Sequence, residues 1–217
     1  MTKNSLLARE IGKLKTAFLL LGGKVEDRFR TAVDALETID RDKALSVVEG
    51  DREIDLAEVN LEEECLKILA LYQPVAVDLR FIITVLKVNS DLERIGDLAV
   101  NISEVVLYLS EQKSFPIPFD FMDMAAKAGR MFRDSLNALV DQDILLAEKV
   151  RRSDDAVDEI YESAYAKISN DMKSNPEHIA PLLQVNRIST ALERIGDLAC
   201  NIAEDVIYLV DGSIVRH

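Results

Sequence analysis

The chain is predicted to be all-α: two tandem three-helix bundles related by internal duplication, with six long helices, residues 1–112 forming the first bundle and 113–217 the second. Three observations predict this. Apolar residues recur at steps of three or four almost throughout. Only 8 Gly and 5 Pro interrupt 217 residues, too few for a loop-rich or all-β chain. The string LERIGDLA occurs twice, at 92–99 and 192–199, inside windows Asp91–Ile102 and Ala191–Ile202 that agree at 10 of 12 positions without a gap.

The elements follow in order. Val33, Leu36 and Ile39 mark one face of a first helix. Asp40-Arg41-Asp42 reads as a short turn with a cap. Leu56, Val59, Leu66 and Leu69 mark the apolar face of a second helix, which Gln73-Pro74 ends, with Pro74 suited to the first turn of the third. Ile82, Val85, Leu92, Ala99 and Val106 keep helical spacing through that third helix. Phe115-Pro116-Ile117-Pro118 separates the halves, and Asn175-Pro176 repeats the Gln73-Pro74 break. Helices longer than 25 residues, each about 40–50 Å at 1.5 Å per residue, with short connections pack as antiparallel neighbours.

The repeat extends beyond its loudest segment. Phe29–Asp55 aligns with Phe132–Asp158 at a constant offset of 103, including Phe29/Phe132, Asp40/Asp143, Val47/Val150, Asp51/Asp154 and Asp55/Asp158. The offset then falls to 100. Two copies of one unit imply a pseudo-twofold axis and two similar sites.

Composition excludes several functions. The net charge of −13 leaves no basic footprint for nucleic acid and favours basic protein surfaces or metal cations as partners. Two distant cysteines are no disulfide framework. The apolar run Ala17–Leu21 stops at Gly22-Gly23, far too short to span a bilayer, so the expectation is a cytoplasmic protein with no transmembrane segment.

The duplicated segment carries Glu93, Asp97 and Asn101, mirrored by Glu193, Asp197 and Asn201. On a helical wheel with Glu93 at the origin, Asp97 falls at about 40°, Asn101 at about 80° and Glu104 at about 20°. Leu92, Ile95, Ala99, Ile102 and Val106 fall on the opposite side, so the acidic row is not core. The preceding helix carries Asp51, Asp55, Glu58 and Glu62, and its counterpart carries Asp154, Asp158 and Glu162. Antiparallel packing would crowd Asp51, Asp55, Glu93 and Asp97 together. Like charges at helical spacing cost about 0.2–0.5 kcal/mol per pair, and a multivalent cation reverses that sign.

Oxygen donors suit hard cations such as Fe³⁺, Mn²⁺, Mg²⁺ or Ca²⁺. A thiolate zinc site is not expected, because Cys200 matches Val100; oxygen-ligated zinc fits the donors. His178 has no counterpart, His217 is terminal, and the Glu-x-x-His motif of a ferritin-like di-iron oxidase is absent. Asn101 and Asn201 fit either a terminal ligand or an exposed polar position. Gly96 and Gly196, costly inside a helix by about 1 kcal/mol relative to Ala, suggest close helix approach beside the acidic row. Arg94 and Arg194 are spaced to pair with Asp97 and Asp197. Tyr108 and Tyr208 suit interface or core rims, and Cys65 and Cys200 suit small, partly buried positions.

These motifs closely resemble the PhoU family of bacterial phosphate-signalling proteins. The resemblance covers nearly the whole chain: both halves, Gln73-Pro74-x-x-x-Asp78-Leu79-Arg80, and both copies of Glu-Arg-Ile-Gly-Asp. It implies two three-helix bundles, and a cytoplasmic negative regulator that limits phosphate uptake and connects the phosphate ABC transporter to a membrane sensor histidine kinase. Through those partners it would be peripheral to the inner face of the membrane. It also implies a homodimer and no firmly attached catalytic reaction. In some members the Glu/Asp-x-x-x-Asp motif holds multinuclear metal clusters, iron among them. By position, the resemblance assigns one site to Asp51, Asp55, Glu93 and Asp97 and another to Asp154, Asp158, Glu193 and Asp197, with Asn101 and Asn201 matching the extended motif. The chain departs from the pattern where His178-Ile179-Ala180 replaces Asp78-Leu79-Arg80, which confines any docking role of that segment to the first half.

The leading expectation is a non-enzymatic regulator. Two other readings remain: a metal-dependent phosphoryl hydrolase using bridged cations, and a purely structural helical adaptor with empty acidic faces.

Overall fold

The computed structural model describes residues 3–112 and 116–212, apart from the side chains of Lys3, Asn4 and Asp51. Phe115 of the linker and the terminal His217 lie outside the described residues. Among those described there is no strand. The helices are α1 (Lys3–Thr38), α2 (Arg41–Glu49), α3 (Asp51–Tyr72), α4 (Ala76–Ser110), α5 (Met122–Asp141), α6 (Ile144–Ser174) and α7 (Ile179–Asp211), with a 3₁₀ turn at Pro176–His178 before α7. None is long and apolar enough to cross a membrane.

The expected all-α architecture holds, with three local corrections. The second helix comes in two pieces, α2 and α3, divided at Gly50. Its counterpart by the 103-residue offset is Ser153, and there α6 runs on unbroken. Glycine, the weakest ordinary helix former after proline, accounts for the difference. Pro74 precedes α4 by two residues instead of entering its first turn, because Gln73 closes α3 in the left-handed conformation and Val75 is extended.

The apolar face expected for the second helix is also corrected. Leu56, Val59 and Leu66 are 56%, 47% and 51% exposed, and of the four only Leu69 packs on the core. The buried stripe is Ile54, Leu61, Cys65 and Ile68. α3 is apolar on two sides, so periodicity alone does not say which side faces inward.

The duplication is visible in the turns. α1 and α5 each end on a left-handed, non-glycine residue, Ile39 (φ 50) and Gln142 (φ 54). The next amide reaches back to close the helix, Asp40 N to Ala35 O and Asp143 N to Ala138 O, both at 2.9 Å. The aspartate then caps the following helix: Asp40 Oδ1 accepts from the amides of Asp42 and Lys43, and Asp143 Oδ1 from that of Leu146.

The halves meet through two antiparallel pairs. Along α4 and α7, Arg80 Nε donates to Leu209 O at 3.2 Å, Lys87 meets Asp205 at 2.9 Å and Arg187 meets Glu104 at 3.0 Å. These contacts place the two LERIGDLA copies side by side near the pseudo-twofold axis. Along α1 and α5, Arg133 Nε donates to Glu26 at 2.6 Å. There Gly22 faces Leu136 and Gly129 faces Phe29, each so close that an added Cβ would collide, at 2.7 and 2.9 Å.

An L-residue in the left-handed region costs about 1–2 kcal/mol and glycine avoids it. Gln142→Gly is therefore expected to stabilise the protein by about 1 kcal/mol in urea denaturation. Ile39→Gly, which also gives up an apolar side chain packed on the core, gains less or nothing.

Candidate functional site

The two repeat segments present the same burial pattern residue for residue from Leu92 to Val100 and from Leu192 to Cys200. Leu92, Ile95, Gly96, Leu98 and Ala99 are buried, as are Leu192, Ile195, Gly196, Leu198 and Ala199. The acidic side chains point away from that core, toward the neighbouring helix of the same half. The glycines sit where the helical phase requires close approach. A Cβ on Gly96 would meet Ile54 at 3.7 Å, and one on Gly196 would stand 3.4 Å from Asp154 Oδ1.

In the second half all four assigned carboxylates converge. Asp158 and Asp197 both act on Asp154, whose pKa rises from 3.8 to about 6, with burial the largest cause. Glu193 is pushed upward first by burial and then by Asp197, Asp158 and Asp154. Asp197 also rises, through burial and Asp158, despite the favourable nearby charge of Arg194. Asp154 Oδ1 is buried without a hydrogen-bond partner.

In the first half, the Asp51 side chain lies outside the described residues. Asp97, Glu58 and Asp55 all raise Glu93, again after burial as the leading cause. Glu58, absent from the ligand set that the resemblance implies, thus stands within the first acidic site. It is held there by Asn89, whose buried Nδ2 donates to Glu58 O and Oε1, both at 3.0 Å. The sequence signal was present, since Glu58 belongs to the acidic row of its helix. The anchoring by Asn89 was not legible, because it depends on the register of α3 against α4.

The asparagines have a different neighbourhood. Asp97, Asn101, Asp197 and Asn201, together with Arg94, Arg194, Leu98 and Leu198, line a single groove of about 400 Å³ on the pseudo-twofold axis. Arg187 from α7 donates to Asn101 Oδ1 at 3.3 Å while also engaging Glu104. The two acidic sites therefore open onto one shared groove through Asp97 and Asp197. Arg94 also pairs with Asp91, at 3.6 Å.

The donor type, carboxylate oxygen, is the one hard cations take. These carboxylates are crowded enough to resist ionisation, and one buried oxygen has no partner. Among the described residues no group of three or more His, Cys, Asp or Glu is placed to hold a metal ion, so a cation would bind only if the facing helices brought these side chains closer together.

A family model described as the PhoU domain matches twice, at residues 18–106 and 121–206, once in each half. The chain belongs to the PhoU family. It is 39% identical over 96% of its length to a phosphate-specific transport system accessory protein PhoU homolog of Pseudomonas putida, of which the match covers 82%. The crystal structure of PhoU from Pseudomonas aeruginosa superposes with a TM-score of 0.90 at 37% identity, covering 95% of this chain and 99% of that one. A phosphate transport system regulatory protein PhoU from Streptococcus pneumoniae superposes equally well, TM-score 0.90, at 30% identity, covering 97% of this chain and 100% of that one. The two domain matches, one per half, account for the paired bundles.

The raised carboxylates set a direction for pH dependence. A carboxyl whose pKa rises on folding costs nothing while protonated in both states, below about 4. For Asp154 the cost grows between about 4 and 6 and is complete above. Metal-free protein is therefore expected to become more stable as the pH falls from 7 to about 5.5. Asp154→Asn should remove part of that slope and stabilise the metal-free form at pH 7, on the order of 1 kcal/mol after allowing for solvent screening. Thermal melts in chelator across this pH range check both statements; a melting temperature that falls steadily on acidification contradicts them.

Proposed function

We propose that this PhoU-family chain is a non-enzymatic negative regulator of phosphate uptake and of the phosphate-starvation response. Cations held by its two acidic sites join the helices of each half, and the outer surface engages a phosphate ABC transporter and a sensor histidine kinase at the inner face of the membrane. The observation that carries this reading is the full-length match to proteins named as phosphate transport accessory or regulatory proteins, combined with the recurrence of the acidic site in both halves. The names supply the transport connection. The kinase, the homodimer and the cation come from the family resemblance and the donor chemistry.

Asp55, Glu58, Glu93 and Asp97 would hold the first cation centre, with Asp51 completing the assigned set, and Asp154, Asp158, Glu193 and Asp197 the second. A cation neutralises the mutual repulsion of these groups and ties α3 to α4 and α6 to α7. Its contribution is electrostatic cross-linking: two helices that repel as bare carboxylate surfaces attract through a shared counter-ion.

Protein purified without an affinity tag and stripped by chelator should gain about 5–10 °C in melting temperature when Fe³⁺ or Mn²⁺ reaches a hundredfold excess over its Kd. The combined variant Glu93→Ala, Asp97→Ala, Glu193→Ala, Asp197→Ala should lose that gain. Pulldown with transporter and kinase cytoplasmic components should retain partners with the wild-type protein. Absence of any partner, metal-loaded or stripped, would overturn the regulatory reading, and metal-dependent turnover of a phosphate ester abolished by Asp97→Ala would replace it with a hydrolase.

A further inference from the structure

We propose that the groove between α5 and α6 is an oxyanion site, in which a phosphoryl group is held between Arg130 and Arg152. The inference is independent of the cation reading above. It concerns a groove to which the repeated Glu-Arg-Ile-Gly-Asp segment contributes no residue.

The groove has a volume of about 400 Å³, within the range of small-ligand sites. Arg130 stands on its α5 wall and Arg152 on its α6 wall, with Lys127 and Lys149 beside them. Met131 and Val150 are buried beneath, and the small side chains of Ser153 and Ala156 leave room between the walls. A chain of net charge −13 thus gathers four cations in one concave place. The lysines are engaged by the two carboxylates of the groove: Lys127 meets Asp123 at 2.6 Å, and Lys149 meets Asp134 at 3.1 Å. The arginines are not. Arg130 has neither hydrogen bond nor ion pair among the described residues. Arg152 meets Glu148, one turn away on its own helix, at 3.0 Å, with both side chains exposed. Such a pair contributes little and yields readily to a stronger anion.

The first half shows that this charge is not inherited from the shared backbone. Carried back along α1, the 103-residue offset matches Lys127, Arg130, Lys149, Arg152 and Ala156 to Lys24, Asp27, Ser46, Glu49 and Glu53. One cation and three carboxylates in the first half become four cations and an alanine in the second. The first-half helices are bridged by Lys24 and Glu53, 2.6 Å apart. Ala156 removes that carboxylate, so Lys127 turns back to Asp123 on its own helix and the groove stays unbridged at this level.

Arginines on facing walls select the shape of the anion. A guanidinium binds two oxygens in one plane. A carboxylate offers one such pair and satisfies one arginine. The tetrahedral phosphoryl group offers different oxygen pairs to both walls at once, and as a dianion it balances both guanidinium charges. Lys127 and Lys149 add a weaker, salt-screened attraction.

Amide-shift titration of the full-length, chelator-stripped and desalted protein by NMR tests this, with ionic strength held constant by chloride. Inorganic phosphate is expected to shift amides of residues 126–131 and 149–154 saturably, and acetate is not. Arg130→Gln and Arg152→Gln should each weaken phosphate binding by about tenfold or more. Lys24→Gln in the first half should leave it unchanged, and helical circular dichroism should be the same in all variants. Glycerol 3-phosphate distinguishes the sources: tighter binding than inorganic phosphate assigns the site to a phosphate ester, weaker binding to the free ion, and equal binding shows that the phosphoryl group alone is read. The proposal is overturned by an equal response to acetate, by failure of both phosphate probes to saturate, or by phosphate affinity that survives both arginine substitutions. Binding of an acidic peptide or an anionic vesicle at this groove while phosphate fails to bind overturns it as well.

Discussion

The antiparallel contact between α4 and α7 organises the molecule. Each helix uses one side for the core of its own half, and both use the region around the repeated Glu-Arg-Ile-Gly-Asp segment to approach the pseudo-twofold axis. The cross-half ion pairs Lys87–Asp205 and Arg187–Glu104 hold the register of that contact. Exposed pairs of this kind contribute little individually. The apolar burial of Leu98, Leu198 and their neighbours supplies the energy, and the charged pairs select the alignment.

That geometry has an electrostatic consequence. With the apolar face committed to the core, the acidic face turns toward α3 in one half and α6 in the other, both of which bring carboxylates of their own. Glu93, Glu193, Asp154 and Asp197 all resist ionisation in this setting, with burial as the first cause and neighbouring carboxylates next. A fold optimised only for stability would place Lys or Arg here. Retaining the repulsion in both halves is the physical ground for reading these surfaces as cation sites, and Asp97 and Asp197 join them through the shared groove on the axis.

The duplication is close in architecture and looser in chemistry. The turns Ile39-Asp40 and Gln142-Asp143 repeat the same left-handed closure and the same aspartate cap. The sites diverge in what surrounds them: Glu58 anchored by Asn89 in the first half, Asp154 beside Cys200 in the second. Outer faces diverge as well. Leu56 and Val59 are exposed on α3, whereas the corresponding residues of α6 are Glu159 and Glu162. A repeated backbone thus carries two different surfaces.

The sequence by itself determined the helical class, the duplication, the core face of the repeated segment and the approximate acidic sets, because helical period and gapless repetition are local properties carried by every turn. It misread the inward face of α3, since a helix with apolar residues on two sides contains no local record of which side meets its neighbours. Two things were decided only by tertiary structure: the anchoring of Glu58 by Asn89 across α3 and α4, and the meeting of both acidic rows in one groove. Each depends on the register between helices distant in sequence, and that register is set by how whole side-chain surfaces interlock, which no single segment encodes.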